Sequence, residues 1–312
     1  MAFYILRIKN KMQLTEYINT LGKDLKKRYG ERVHKLTLNG DFTCPNRDGV
    51  LGRGGCTFCN VSAFSDESQA QQSIAVQLAS RASEVSHKAN KYLAYFQAYT
   101  STYAEIEQLA SLYEQATFNQ NIVGLCVGTR PDCVSDDVLN LLSSYLFRGY
   151  EVWLELGLQS ANDKTLKRIN RGHGFAEYQS TCQKARARGI KVCTHLILGL
   201  PKESDTDYQQ TLRQVVEVGV DGLKLHPLHI VRGAIMEKSW RAGRLTTLSL
   251  EQYSQSASSL IRHTPADVIF HRISATAKIE QLVSPLWCEK RWPVQNRIGK
   301  LLQELGGQGS AL

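Results

Sequence analysis

A chain of 312 residues with 42% hydrophobic and 21% charged residues has ordinary globular composition, long enough for one large core or two modest ones, and disorder is not the expectation. Its net charge of +9 is uneven: residues 1–40 hold nine Lys/Arg against three Asp/Glu, residues 260–312 hold seven against four, and residues 41–259 hold twenty-two of each sign. Basic ends on a neutral body suit an anionic partner such as RNA, a phosphorylated ligand or an acidic protein, although Lys23-Asp24-Leu25-Lys26-Lys27-Arg28 also has the pattern of a solvated helix face.

At the start of the chain, Phe3-Tyr4-Ile5-Leu6 is too short for a secretory signal, and no later run has the length of a membrane span. The expectation is a cytoplasmic protein with no membrane partner. In a reducing compartment its eight cysteines read as ligands, catalytic groups or core fillers, not as a disulfide framework. The first predicted element is a helix over 12–29. Strands are predicted next over 33–38, 92–98, 122–127, 151–158, 191–198 and 222–228, with 267–273 a weaker candidate. Helical patterns fall between them over 69–90, 103–118, 135–147, 175–188 and 205–217, with starts marked by Ser135-Asp136-Asp137 and by Asp205 ahead of Tyr208.

Strand and helix in alternation predict an α/β fold with a parallel sheet. Most strands run into loops rich in polar residues or glycine, such as Gly128-Thr129-Arg130-Pro131-Asp132 and His226-Pro227-Leu228-His229. Groups spread over many strand ends suit a barrel, whereas an open doubly wound sheet gathers its ligand at one switch point. The predicted fold is therefore a partial (β/α)6-type, TIM-like barrel with a C-terminal extension. Its divisions are a basic helical extension over 1–30, a barrel core over 31–263 and a cap over 264–312.

The chemistry is most visible from Cys44 to Cys59, where Cys44, Cys56 and Cys59 fall within sixteen residues of a loop that also holds four glycines. Glycines let the backbone wrap closely, so the three thiolates can converge on one soft metal centre. A structural zinc site needs four ligands, and no fourth Cys or His comes after Cys59 at a finger-like distance. An iron–sulfur cubane held by three cysteines leaves one iron open to an outside ligand.

These residues resemble the radical S-adenosylmethionine superfamily, in the branch related to the catalytic subunit of Elongator and closest to the YhcC-type family. Most of that superfamily spaces its cysteines C-x3-C-x2-C. The C-x11-C-x2-C spacing here is similar to the expanded loop of the Elongator-like branch. Further matching segments are Arg130-Pro131-Asp132, Glu155 to Ser160, Asn170-Arg171-Gly172-His173 and His195 to Pro201.

The resemblance implies a 4Fe-4S cluster on Cys44, Cys56 and Cys59, S-adenosylmethionine as its ligand, and a reductant such as flavodoxin or ferredoxin. Phe58 would lie against the adenine. The slot that binds the methionine amino group reads Ala98-Tyr99-Thr100-Ser101-Thr102 and lacks the usual acid, so hydroxyls or carbonyls near Tyr99 and Thr100 would serve. Glu155, a charge inside an apolar strand, would meet a ribose or an ammonium group. Gln159, Ser160 and Arg168 or Arg171 would meet the ribose and carboxylate, and Gly199 with Pro201 would shape the adenine pocket.

Other residues carry weaker signals. Cys126 and Cys193 read as core thiols, Cys133 and Cys288 as structural residues, with donation of a hydrogen atom or a place in a second cluster as alternatives, and His226 and His229 as substrate contacts or satisfied core or loop histidines. His271 and Arg272 receive no role. The function implied is an enzyme that cleaves S-adenosylmethionine to a 5′-deoxyadenosyl radical and acts on RNA, with tRNA in view. The alternatives are a radical enzyme for a protein side chain or small metabolite, and a non-catalytic iron–sulfur regulator. About forty residues after the last strand are too few for an acetyltransferase domain.

Overall fold

Strands that are apolar along their whole length, not at every second position, need cover on both faces, and a parallel sheet under helices supplies it. The computed structural model, which describes residues 14–60 and 71–312, has such a sheet. Its strands are β1 (Val33–Leu38), β2 (Lys91–Phe96), β3 (Ile122–Thr129), β4 (Glu151–Gln159), β5 (Lys191–Leu198), β6 (Gly222–Pro227) and, after the two-residue β7 (Ile230–Val231), β8 (Ile269–Arg272). Every neighbouring pair in the order β1-β2-β3-β4-β5-β6-β8 is parallel. Eight of the nine residues of β4 are buried.

Between the strands run α3 (Ile74–Val85), α4 (Ile106–Thr117), α5 (Asp136–Phe147), α6 (Asp163–Arg168), α7 (Phe175–Ala187) and α8 (Asp205–Val218). Their starts obey ordinary capping chemistry. Ser135 accepts from the Val138 amide at the head of α5, and Ser204, one residue ahead of the expected Asp205, caps α8 with Asp207 answering in a capping box. Of the expected helix over 69–90, residues 69 and 70 lie outside the described residues, and the structure has the shorter α3, which starts after its N-cap Ser73 and ends at Val85.

The sheet is a partial barrel, because β1 and β8 are its two edges. The segment expected to be one helix over 12–29 bridges the gap, and it is not one helix. Residues 12 and 13 lie outside the described residues. Beyond them the chain makes a 3-10 turn at Leu14–Glu16, an extended stretch, and α1 (Leu21–Tyr29). The break has a physical cause: the Phe270 amide donates to the Asn19 carbonyl, 2.8 Å, and Thr20, bridged to Phe270, takes extended angles and caps α1. The helix then packs on β1 and β8 and plugs the lower lumen. Leu21 and Leu25 join Val33, Leu93, Trp153 and Ile269 in a separate apolar cluster there.

A seventh strand at Ile269–Arg272 also means that the sheet takes its last member from the segment assigned to the cap, past the expected boundary at 263. The rest of that segment packs on elements outside it, and near its end the Gln308 amide donates to the Tyr17 carbonyl at 2.9 Å. β7 pairs antiparallel with β9 (Leu282–Ser284), α9 (Ile235–Arg241) donates its Met236 amide to the Thr57 carbonyl at 2.9 Å, and α10 (Leu250–Arg262) packs on α11 (Arg291–Leu305).

Where β3 passes β4 the strands have no room for a side chain. A Cβ on Gly124 would stand 2.3 Å from the Glu151 carbonyl and 2.6 Å from its Cβ, and neither can swing aside. Gly124→Ala should therefore destabilise the protein by about 1–3 kcal/mol, read as a lower urea midpoint. An unchanged midpoint would mean that the β3–β4 spacing is slacker than described.

Candidate functional site

The three cysteines of the loop after β1 face one cavity at the carboxyl ends of the strands. Cys44 caps the four-residue α2 (Pro45–Asp48), with proline at the first helical position. The chain then doubles back, the Leu51 amide donating to the Pro45 carbonyl and the Gly55 amide to Asn46, each at 2.8 Å. Gly54 and Gly55 take φ of +88° and +78°, and a Cβ on Gly55 would stand 2.8 Å from Arg47 Nε, so glycine is what brings Cys56 back toward Cys44.

The Asn170-Arg171 segment after α6 holds this loop. Thr57 donates its amide to the Ile169 carbonyl at 3.0 Å, Asn46 Nδ2 donates to the Asn170 carbonyl at 2.6 Å, and Asn170 Nδ2 donates to Gly55 at 2.9 Å. Two of these neighbours also reach sulfur: Asn46 Nδ2 lies 3.6 Å and Arg171 Nη1 3.5 Å from Cys56 Sγ. Cys56 is buried, Cys44 and Cys59 are half-buried, and all three thiols are free. Burial, then the adjacent Cys56, pushes the Cys59 thiol up, while the guanidiniums of Arg47 and Arg171 pull it back toward the thiolate. Such a loop suits a soft cation that supplies its own positive charge.

Phe58, Tyr99, Thr100, Glu155, Gln159 and Arg171 line the same cavity. Tyr99 and Gln159 take positive φ, +59° and +80°, which few residues of their type adopt. Three buried polar atoms on lining residues have no partner among the described residues: Thr100 Oγ1, Arg130 Nη1 and His226 Nε2. Arg130 is 2% exposed and spends its other nitrogens on Asp132, at 3.1 and 2.8 Å. Buried polar atoms without partners are costly, so the cavity is built for something polar.

Four other expected residues are not among those lining it. Ser160 Oγ donates to Glu203 Oε1 at 2.5 Å, Arg168 reaches the Pro201 carbonyl at 2.7 Å, and the Gly199 amide donates to the Tyr208 hydroxyl at 2.8 Å. These contacts, together with Pro201, set the loops behind the wall. Cys133 is also outside it, its thiol pushed up to about 12 by burial and Asp132.

Glu155 meets ammonium groups that belong to the chain itself. It is wholly buried, and the chain itself surrounds it: Lys35 Nζ at 2.5 Å, Lys224 Nζ, His195 Nε2 at 3.1 Å and His271 Nδ1 at 3.1 Å. Barrel lumens are ordinarily filled by layers of branched aliphatics. Here the layer above the apolar plug is polar, with Tyr95 hydrogen-bonded to Lys224 at 2.8 Å. Sequence reasoning found Glu155 and missed its partners, although the same signal marked them: Lys35 in VHKLTL and Lys224 in GLKLHP are charges inside apolar strands. Glu155, Cys193 and His271 place ligand atoms within 4.8 Å of one another, but the two ammonium groups already supply the cation there.

Burial, followed by the neighbouring lysines, lowers His195 to about 4 and His271 to about 3. Both histidines are then neutral in the folded apoprotein, while the unfolded chain protonates them below about pH 6.5. The unfolded state binds the extra protons, so stability is full above that pH and falls as pH drops toward about 4. The expected slope is roughly 1.4 kcal/mol per pH unit for each histidine. Urea midpoints of the apoprotein at about pH 7, 6, 5 and 4.5 check it, and a flat profile would refute neutral burial.

A model of the radical SAM superfamily matches residues 49–215, and one of the radical SAM C-terminal domain matches residues 220–304. The chain is 62% identical over 301 residues to Protein YhcC of Escherichia coli (strain K12), covering 96% of this chain and 97% of that protein. A tRNA uridine(34) acetyltransferase of Dehalococcoides mccartyi is 35% identical over 144 residues, 44% of this chain and 30% of that protein. Among solved structures, the archaeal Elp3 of Methanocaldococcus infernus superposes with a TM-score of 0.66 at 20% identity, over 88% of this chain and 63% of that one. No helix among the described residues is long and apolar enough to cross a membrane.

Proposed function

The chain belongs to the radical SAM superfamily, in its Elongator-like branch, whose enzymes use a 4Fe-4S cluster and S-adenosylmethionine, and from that membership we propose that Cys44, Cys56 and Cys59 hold the cluster. The observation that supports this is convergence: three free thiols on one loop share a cavity with three unpartnered buried polar atoms. The donor set fits, since three soft ligands leave a cubane iron open to the amino acid end of the nucleotide. When bound, the pair supplies a 5′-deoxyadenosyl radical that takes a hydrogen atom from a substrate.

The chain's own residues bind, orient and exclude water. Arg47 and Arg171 place positive charge beside Cys59 and Cys56, and Asn46 fixes the loop between them. Phe58 offers its ring to the adenine. Tyr99 and Thr100 serve the methionine amino group in place of an acid, and Thr100 Oγ1 has no other partner among the described residues. Gln159 and Arg171 serve the ribose and carboxylate, while Ser160, Arg168, Gly199 and Pro201 shape that side of the pocket from behind its wall.

Anaerobic reconstitution with iron and sulfide, followed by electron paramagnetic resonance, tests the reading. The reduced spectrum should shift when S-adenosylmethionine is added, and 5′-deoxyadenosine should accumulate with dithionite. One tetrahedral zinc per chain, or a spectrum indifferent to the nucleotide, would overturn it. The electron source we propose is a flavodoxin or ferredoxin.

For the substrate we propose RNA, with tRNA first. Two facts support it: the positive charge lies at the two ends of the chain, and one relative is named a tRNA uridine(34) acetyltransferase. Binding of tRNA should weaken steeply between low and moderate salt, as counterion release requires. Absent or salt-independent binding would favour a protein side chain or a small metabolite.

A further inference from the structure

Resting on the radical SAM reading, this inference concerns what the cavity holds besides its cofactors. The wall made by β6 and β8 brings two cations and a histidine to the cavity. Lys224 and Arg272 are register partners across the two strands, and His226 lies two residues along β6 on the same face. All three line the cavity. Lys35 and Lys224 share the single carboxylate of Glu155, and the exposed side chain of Arg272 makes no ion pair or hydrogen bond among the described residues. Two ammonium groups thus share one buried carboxylate, and the exposed Arg272 adds a third cation at the edge of the cavity, with the surrounding histidines neutral.

The other cations of the cavity already have partners within the chain. Arg47 donates to the Cys59 carbonyl at 2.8 Å, Arg171 donates to the Gly157 carbonyl and approaches Cys56, and Arg130 holds Asp132. Arg272 is exposed and Lys224 is buried behind it, so an anion that enters the cavity from solvent meets both. Burial first, then the charges of Lys35 and Arg272, lower the Lys224 pKa against the pull of Glu155.

We propose that Lys224, His226 and Arg272 form an anion subsite that takes a phosphate or carboxylate group of the substrate, beside the cofactor cavity. Each contributes a different donor. Arg272 offers a planar fork suited to two oxygens of one anion. Lys224 spends two of its three protons, on Glu155 and on the Tyr95 hydroxyl, and has one left. His226 Nε2 is buried, unpartnered and neutral, and the His195 ring stacked on it at 5.9 Å holds its orientation. An anion fixed there would hold the rest of the substrate in the lumen, so that a single hydrogen faces the radical.

The test titrates the reconstituted, S-adenosylmethionine-loaded protein with inorganic phosphate and, separately, with succinate, reading heat and the phosphorus line width. One of the two should bind alongside the nucleotide, and which one tells whether the substrate group is a phosphate or a carboxylate. Arg272→Gln should weaken that binding by about tenfold or more, and His226→Asn should weaken it less. Circular dichroism confirms that both variants are folded. If neither anion binds, or if binding is unchanged in both variants, the subsite is overturned. It is also overturned if Arg272→Gln weakens only S-adenosylmethionine, read by the titrated spectral shift, because the wall would then serve the cofactor. If the spectrum never responds to the nucleotide, the radical SAM reading fails, while the same titration of the apoprotein still decides the subsite.

Discussion

Cys44→Ala, Cys56→Ala and Cys59→Ala should each take 5′-deoxyadenosine formation to background and remove the nucleotide-dependent spectral shift, whereas Cys126→Ala, Cys182→Ala and Cys288→Ala should leave both in place. The contrast matters more than the losses. A thiol binds a metal as the thiolate, and burial pushes Cys126, Cys182 and Cys288 up to about 12, which keeps them protonated. Cys126 lies in β3, Cys182 in α7, and Cys288 packs against Val231, Ala234 and Leu282. Their loss leaves a small cavity and lowers stability by about 1 kcal/mol without touching the cluster. Iron and sulfide content after reconstitution, measured beside the spectrum, separates the two groups. A variant of the second group that lost the cluster, or one of the first that kept its full iron content and its spectral shift, would sink the ligand assignment.

Why the cysteine loop was legible and the charged lumen was not is a matter of range. Glycine, proline and cysteine at fixed spacing act within the loop, so the turn at Gly54 and Gly55 and the convergence of the thiols are written into sixteen neighbouring residues. The strands were legible for a similar reason: the runs at 122–127 and 151–158 fall within β3 and β4, because a doubly covered strand needs no pairing information to show itself. Glu155 and Lys35 meet across 120 residues, and Lys224 joins them from another strand, so only the closing of the sheet brings them together. Ser160 and Arg168 show the converse. They come after β4 in the right order, but their side chains turn to Glu203 and to the Pro201 carbonyl, and sequence order does not reveal which way a loop side chain turns. The N-terminal helix was overextended because nothing local marks Asn19 as the partner of Phe270.

Glu155→Gln should cost about 3–5 kcal/mol in the apoprotein at about pH 7, a large loss for an isosteric change. The glutamine keeps the shape but removes the charge that Lys35 and Lys224 both face, leaving two ammonium groups in a lumen that water does not reach easily. The loss should therefore be partly recovered when a cation is removed as well. Glu155→Gln with Lys35→Met should be more stable than the sum of the single changes, and that coupling isolates the electrostatic part from packing. Acid sharpens the test. The two lysines and the histidine hydrogen bonds hold the Glu155 carboxyl well below its ordinary 4.5, so its contribution is whole above that pH and is lost as pH falls through the lower, folded value. The gap between the wild-type chain and Glu155→Gln, read from urea midpoints, should accordingly be constant from about pH 7 to 5 and begin to close below about 4.5. A gap under about 1 kcal/mol at neutral pH would mean that water or a mobile anion already screens the lumen. The polar layer would then be loosely hydrated, with no fixed network for a substrate to meet.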